Sequence, residues 1–299
     1  MKKVNFAAKF KLAGLFSAIL VIAGLGLFAG KGLNYGVDFR GGAEVQVKFG
    51  QSITIPELRA TLADNNFKGA SVQTIGDISE NEFLIKVKVG ENNLNKVTQN
   101  MTDLLTREYQ SKQVEIRKTD IVGPKAGKEL RNSGFQAMFW ALLAIMIYVG
   151  LRFDFKYSPG AIIALFHDVT IIVAIFSLTG KEFTLQIVAA LLAVIGYSVN
   201  DTVVVYDRVR EHEEKYSGLK LVEHINNALN ETLSRTILTS CTTLFVSLAM
   251  LFFGGSVIHD FFFAISLGVA IGTYSSIFVA APATLIMDKY FGGAQEATA

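Results

Sequence analysis

The chain of 299 residues has one cysteine, one tryptophan, four prolines and four histidines. Cys241 sits inside an apolar run, so the chain can form no internal disulfide and no cysteine-based metal site. Charge is scarce as well: 18% of residues are charged, and 28 Lys and Arg against 26 Asp and Glu leave a net charge of +2. No basic stripe interleaved with aromatics is present, so no nucleic-acid partner is expected. The longest polar segment holds no paired acids, no His cluster and no phosphate loop. It therefore points to docking or clamping rather than chemistry, with no cofactor or metal expected.

What the chain has in abundance is apolar surface. Hydrophobic residues make up 51%, including 23 Phe, and the mean hydropathy is +0.39. A bilayer core about 30 Å thick needs about 20 apolar residues per helical crossing. Six stretches approach that length: 12–29, 135–151, 160–178, 185–206, 236–253 and 261–287. The expected class is a membrane α-helical bundle of six transmembrane helices. Lys2, Lys3, Lys9 and Lys11 resemble the start of a signal peptide, but Gly30-Lys31-Gly32 offers no small-residue cleavage box, so the first span reads as a retained anchor.

Orientation follows from Lys and Arg in the short connections. Lys2, Lys3, Lys9 and Lys11, then Arg152 and Lys156, then Arg208, Arg210, Lys215, Lys220 and Arg235, and finally Lys289 all fall on one side if the spans alternate. Both termini are expected in the cytoplasm, with the segment 31–134 on the outside. The division expected is 1–30 for the amino end and first span, 31–134 for the outer domain, and 135–299 for the remaining spans. A cytoplasmic amphipathic loop is expected at 207–235.

Within the outer segment, 43–50 alternates like a strand and 55–66 carries apolar residues at helical spacing with Pro56 in the first turn. Strands are expected at 71–76 and 82–89, a helix at 93–109 and a closing strand at 113–121. The order β-α-β-β-α-β is the α+β ferredoxin-like pattern. Two glycine-bearing segments tether it: Gly36-Val37-Asp38-Phe39-Arg40-Gly41-Gly42 and Val122-Gly123-Pro124. They read either as plain turns or as hinges, with Asp38, Gly41, Gly42, Gly123 and Pro124 as the residues concerned.

One residue stands out against the apolar background. Asp201 lies within the fourth span, in Ser198-Val199-Asn200-Asp201-Thr202, and a carboxylate there disfavours insertion by about 2.5 to 3.5 kcal/mol. Such acids usually face a bundle interior or a proton path. In the fifth span Thr232, Arg235, Thr236, Thr239, Thr243 and Ser247 recur at helical spacing as a polar stripe. Water can follow such a stripe, or its hydroxyls can bond back to helix carbonyls. Asp168, in the third span beside His167, lies at a depth comparable to Asp201, about 13 Å against about 8 Å at 1.5 Å per residue. Asp168 reads as a buried, hydrogen-bonded acid supported by His167, or with it as a relay. Together Asp201, Asp168 and Arg235 form the candidate proton-coupling set, with Asn200, Thr202, Thr236 and Thr239 lining the path. A unit charge crossing 100 mV releases about 2.3 kcal/mol, enough to bias a two-state bundle.

Two packing signals complete the pattern. Gly268, Gly272, Ser276 and Ala280 repeat every four residues, a face for close helix approach. Leu221, Val222, Ile225, Ala228, Leu229 and Thr232 fall opposite Glu223, Asn226, Asn227 and Asn230, as in a helix lying on the membrane interface.

The two tethers, His167-Asp168, and Ser198-Val199-Asn200-Asp201-Thr202 running into Asp207-Arg208-Val209-Arg210-Glu211 together resemble the SecD/SecF family of bacterial protein-export membrane proteins, on the SecF side. The resemblance implies half of a resistance-nodulation-division type transporter, paired with SecD and assisting SecYEG, with YajC as a further associate. It implies use of the proton-motive force to draw an unfolded secretory polypeptide across the inner membrane. It also implies that Asp201 is the proton-responsive acid and that Arg235, in Ser234-Arg235-Thr236, acts beside it. The chain carries no SecD half, so an acid opposite Asp201 has to come from another chain. Two other classes compete. Half of a small-molecule or lipid exporter is disfavoured by the small outer domain, and an intramembrane aspartyl protease by the lack of a Gly-x-Gly-Asp element around Asp201.

Overall fold

The computed structural model describes residues 4–88, 94–153, 156–216 and 218–291. Lys2, Lys3, Val89 and Asn93, which enter the expectations above, lie outside the described residues. Six helical segments are long and apolar enough to cross a membrane: Ala7–Lys31, Pro124–Arg152, Ser158–Thr179, Leu185–Lys215, Leu221–Phe253 and Ser256–Lys289. Within them lie α1 (Phe10–Lys31), α5 (Pro124–Arg152), α6 (Ser158–Thr179), α7 (Leu185–Lys215), α8 (Leu221–Phe253), α9 (Ser256–Ser275) and α10 (Ala281–Phe291). The last crossing is not one regular helix. A π-helical segment, Ser276–Ala280, separates α9 from α10.

Between α1 and α5 lie β1 (Asn34–Tyr35), α2 (Val37–Arg40), β2 (Gly42–Phe49), α3 (Ile55–Asp64), β3 (Ser71–Thr74), β4 (Glu82–Lys88), α4 (Leu94–Glu108) and β5 (Val114–Val122). The four longer strands make an antiparallel sheet in the order β3-β4-β2-β5, with a register shift between Gln46 and Val47 where β2 meets β5. Alternation in β2 sends Val45, Val47 and Phe49 to one face, where they pack with Leu58 and Leu62 of α3 and Met101 and Leu105 of α4, all buried. The N-terminus of α3 is capped by Thr54, whose hydroxyl accepts from the Glu57 amide at 3.3 Å. Ser256, at the start of α9, donates to the Thr74 carbonyl of β3, which seats the sheet unit on the helix bundle.

The bundle has two apolar cores. One, near the sheet unit, gathers Phe39, Phe176, Phe183, Ile187, Leu191 and Val194. The other, at the opposite end, gathers Tyr157, Ala161, Tyr206, Ala228 and Ala280. The glycine face of α9 meets α7 of the same chain: a Cβ at Gly268 would sit 2.1 Å from Val194 Cγ2, and one at Gly272 3.0 Å from Ser198 Cβ. Gly160 opens the start of α6 in the same way to Tyr206 and Ala280. The expected four-residue stripe is broken at the π segment, so Ser276 and Ala280 do not continue the Gly268–Gly272 face in regular α register.

Two boundaries differ from expectation. The division at 134/135 falls inside α5, which starts at Pro124 and is seeded by a proline in its first turn. The loop expected at 207–235 is the paired ends of α7 and α8, and the amphipathic residues 221–232 are the first turns of the fifth crossing rather than a separate interfacial helix. At 1.5 Å per residue α8 is about 50 Å long, well beyond the hydrocarbon core. Its polar face has a structural use. Asn226 accepts from the Phe6 amide at 2.8 Å, and Asn230 both accepts from the Val4 amide at 2.7 Å and donates to the Val4 carbonyl at 2.8 Å, fixing the start of the chain.

Candidate functional site

Helix α7 carries the buried polar centre because its inward face is aliphatic until Ser198, Asp201 and Thr202 interrupt it. Asp201 is 3% exposed, and its Oδ1 accepts one hydrogen bond, from the Thr236 hydroxyl of α8 at 3.1 Å. Its Oδ2 is buried with no hydrogen-bond partner among the described residues. A charge held in this way has lost its water and gained a single donor. Hydrogen bonds between membrane helices contribute about 0.6 kcal/mol on average, far less than the cost of the buried charge.

Asp168 of α6 is held differently. Its Oδ2 accepts from Ser198 of α7 at 2.6 Å and from Ser275 of α9 at 2.8 Å, and its Oδ1 faces His167 Nδ1 at 2.9 Å. Three helices thus converge on one saturated carboxyl. The two acids have no donor in common, although Ser198 and Asp201 lie on one face of α7, three residues apart. His167 Nε2 is buried and unpartnered among the described residues, and its ring stacks at 6.0 Å on Tyr274.

The other sequence-selected residues divide. Thr236 reaches Asp201 and Thr202 is buried beside it, its hydroxyl returned to the Ser198 carbonyl. Thr239 bonds back to the carbonyls of Arg235 and Thr236, as Thr232 and Thr243 do to their own helix. Most of the polar stripe therefore satisfies itself, and Thr236 is the stripe hydroxyl that serves an acid. Asn200 is exposed: at about 100° per residue it turns away from Asp201 in the direction opposite to the buried Ser198 and Thr202. Arg235 is exposed at the side of α8, one residue before the Thr236 that bonds Asp201. Ser275, which the sequence did not single out, is the missed partner. Its signal was its place three residues after Gly272, on the same small-residue helix face.

The tether residues meet in one place. Gly41, at φ +84°, packs against the backbone and ring of Pro124, where a Cβ would lie 2.8 Å from Pro124 Cα. A Cβ at Gly42 would strike the Val87 carbonyl, and one at Gly127 would sit 3.0 to 3.1 Å from the backbone of residues 38 to 41. Gly123 supplies the extended residue before Pro124. From this knot Asp38 reaches the helix that bears Asp201: its Oδ2 accepts from the Leu185 amide, the first residue of α7, at 2.9 Å. A carboxylate there satisfies a free amide and complements the helix dipole. The parallel pairing of β1 with β6 (Glu182–Phe183) and the Gly36 amide bonded to the Phe183 carbonyl at 3.0 Å hold the contact in register.

Two family models match the chain: "Protein export membrane protein SecD/SecF, C-terminal" over residues 101–290, and "SecD/SecF GG Motif" over residues 26–53. The protein translocase subunit SecF of Thermodesulfovibrio yellowstonii is 39% identical over 292 residues, covering 96% of this chain and 95% of that protein. The corresponding subunit of Magnetococcus marinus is 42% identical over 287 residues, covering 95% and 92%. Among solved structures, SecDF from Thermus thermophilus, described as a translocon-associated membrane protein, superposes with a TM-score of 0.81 at 34% identity over 96% of this chain. SecDF in its super-membrane-facing form gives 0.74 at 33% over 100%. The chain spans 39% and 40% of those two chains. With six candidate crossings of its own, matching models over most of its length and SecF relatives near 40% identity, the chain belongs to the SecD/SecF family of protein-export membrane proteins, as a SecF-type subunit of the Sec translocation machinery.

Proposed function

We propose that this chain pairs with SecD and uses the proton-motive force to promote passage of unfolded secretory polypeptides delivered through SecYEG, with YajC as an associate and membrane lipid around it. In this reading both termini are cytoplasmic and the sheet unit, a ferredoxin-like βαββαβ domain, stands outside. The strand order β3-β4-β2-β5 supports that fold. Asp201 is the residue that gains and loses the proton, Arg235 sets its charge balance from the exposed side of α8, and Asp168 is the fixed acid that ties α6, α7 and α9 together. Thr236 and Thr239 border the path, Thr202 packs behind it, and Asn200 is turned toward the partner chain.

The observation that carries the reading is the asymmetry between the two acids. Asp168 has every oxygen engaged, whereas Asp201 has one hydrogen bond and one open oxygen, buried in an apolar crossing. A carboxyl with spare capacity is the one that can exchange its proton. The separate donor sets of Asp168 and Asp201 also weigh against their working as an aspartyl-protease pair. Asp38, joined to the first amide of α7, gives the motion of that helix a direct route into the sheet unit. The test is Asp201→Asn, which keeps size and the Thr236 contact while removing the titrating group. Proton-driven export should be lost while co-purification with SecD is unchanged. Export at the original rate would overturn the assignment.

A further inference from the structure

We propose that the groove between α1 and the α6/α10 pair binds one anionic phospholipid, with its phosphate at Lys11 and one acyl chain running along Gly14, Ala18 and Ile22. The groove has a volume of about 620 Å³ and, among the described residues, its lining holds two titratable side chains, Lys11 at one end and His167 on the floor. The rest is almost wholly apolar. A Cβ at Gly24 would touch Ala174 of α6 at 3.1 Å, whereas a Cβ at Gly14, ten residues nearer the amino end, meets nothing within 4 Å. Small residues in membrane helices ordinarily mark close contact. Here Gly14 and Ala18, one turn apart, leave an opening instead. Ser17 bonded to Tyr274 at 2.9 Å, and Tyr274 bonded to the Ala13 carbonyl at 3.0 Å, hold α1 to α9 behind it.

The dimensions select the occupant. From Lys11 to Ile22 the groove runs about 16 Å at 1.5 Å per residue, close to half of a hydrocarbon core about 30 Å thick. A spanning helix of a partner needs a groove through the whole core, whereas a lipid of one leaflet needs half. The open end carries the one charged side chain of the lining, Lys11, which is exposed with no acidic partner among the described residues; Lys9, outside the lining, is exposed two residues away. A cation at the mouth of an apolar half-membrane cleft complements a phosphate followed by a hydrocarbon chain. The placement of that phosphate in the cytoplasmic leaflet rests on the orientation proposed above. Because the floor is His167, whose other ring nitrogen faces Asp168, a bound chain would keep water of that leaflet away from the acid held by α6, α7 and α9.

The test uses the full chain in its purified membrane complex, reconstituted in bilayers containing phosphatidylglycerol or phosphatidylcholine that carry a diazirine in the acyl chain. Photolysis followed by peptide mapping should place adducts on Ile163, Phe166 and Leu285, with phosphatidylglycerol favoured about fivefold, the equivalent of about 1 kcal/mol for one basic residue near the surface. Lys11→Gln should erase that preference. Gly14→Leu and, independently, Ala18→Leu should abolish the groove adducts while labelling of Phe245 and Phe252, on the exposed side of α8, persists. Equal labelling by the two lipids with no effect of Lys11→Gln would overturn the proposal. Release of a partner chain by the filling variants would do the same, by making the groove a helix-docking face. The labelling does not depend on which leaflet the groove faces, so a wrong orientation and a wrong lipid site fail separately.

Discussion

Replacing Asp38 tests whether the knot below the sheet drives, or merely accompanies, the helix that bears Asp201. Asp38→Ala removes the acceptor of the Leu185 amide, and loss of such an N-terminal acceptor costs about 0.5 to 2 kcal/mol. Loss of the negative charge at the helix end adds about 0.3 to 1 kcal/mol. Asp38→Asn keeps an acceptor oxygen and should forfeit only the second part. Taking about 1 to 2 kcal/mol for the alanine variant, the open form of the junction becomes about 5 to 30 times more populated. Hydrogen–deuterium exchange of the peptide over residues 182–188 should accelerate by that factor in Asp38→Ala and by less in Asp38→Asn. Proton-driven export should fall in the same order, with SecD association intact. Unchanged exchange in the alanine variant would show that the contact does not hold the helix end. Faster exchange with unchanged export would refute the mechanical link itself.

Further predictions follow from other contacts. Arg235→Ala should weaken proton-driven export more than Arg235→Lys, since lysine keeps the charge proposed to balance Asp201; equal full activity in both would reduce Arg235 to an orientation signal. Gly268→Val forces branched carbons into Val194 and should lower stability by about 1 to 3 kcal/mol, read as a lower thermal midpoint, while Gly26→Ala, with nothing within 4 Å, should not. In the sheet unit Lys112 bonds Glu57 at 2.7 Å, and that hydrogen bond holds the Glu57 carboxyl below its usual 4.5. A lowered carboxyl contributes stability above the unfolded value that is lost as pH falls through the folded one. Lys112→Met should therefore flatten the acid limb of that unit's protease resistance, by a small amount because the pair is exposed.

The six crossings were legible because each is an apolar run of nearly the length that a bilayer core requires, and single strands and helices of the sheet unit show as local periods of about 2 and 3.6. Asp201 was legible because a carboxyl interrupting an apolar run is conspicuous. The ends of α5, α7 and α8 were not, because hydropathy reports only the residues inside hydrocarbon, and a helix continuing into water as Arg208, Glu211 and Lys215 gives no such signal. The role of Asp38 depends on a contact across 147 positions, for which sequence spacing has no rule. Asn200 was grouped with Asp201 by adjacency, whereas helical geometry turns neighbours apart. Ser275 was obscured by assuming that a four-residue repeat continues through an unbroken helix.

That broken helix bears on how relatives are compared. A π segment closes its turns from residue i to i+5, so Ser276–Ala280 amounts to one residue inserted into the sixth crossing. Positions before it keep Gly268, Gly272 and Ser275 against α7 and α6; positions after it carry Thr284 to the Tyr206 hydroxyl at 3.1 Å. Deleting any one of the five would restore a uniform helix and swing one half against the other by about 100°. A projection of this crossing onto one ideal α-helix will therefore assign the buried side correctly on one half and wrongly on the other. Against a helix without such a segment, the matching splice is a single-residue offset within Ser276–Ala280.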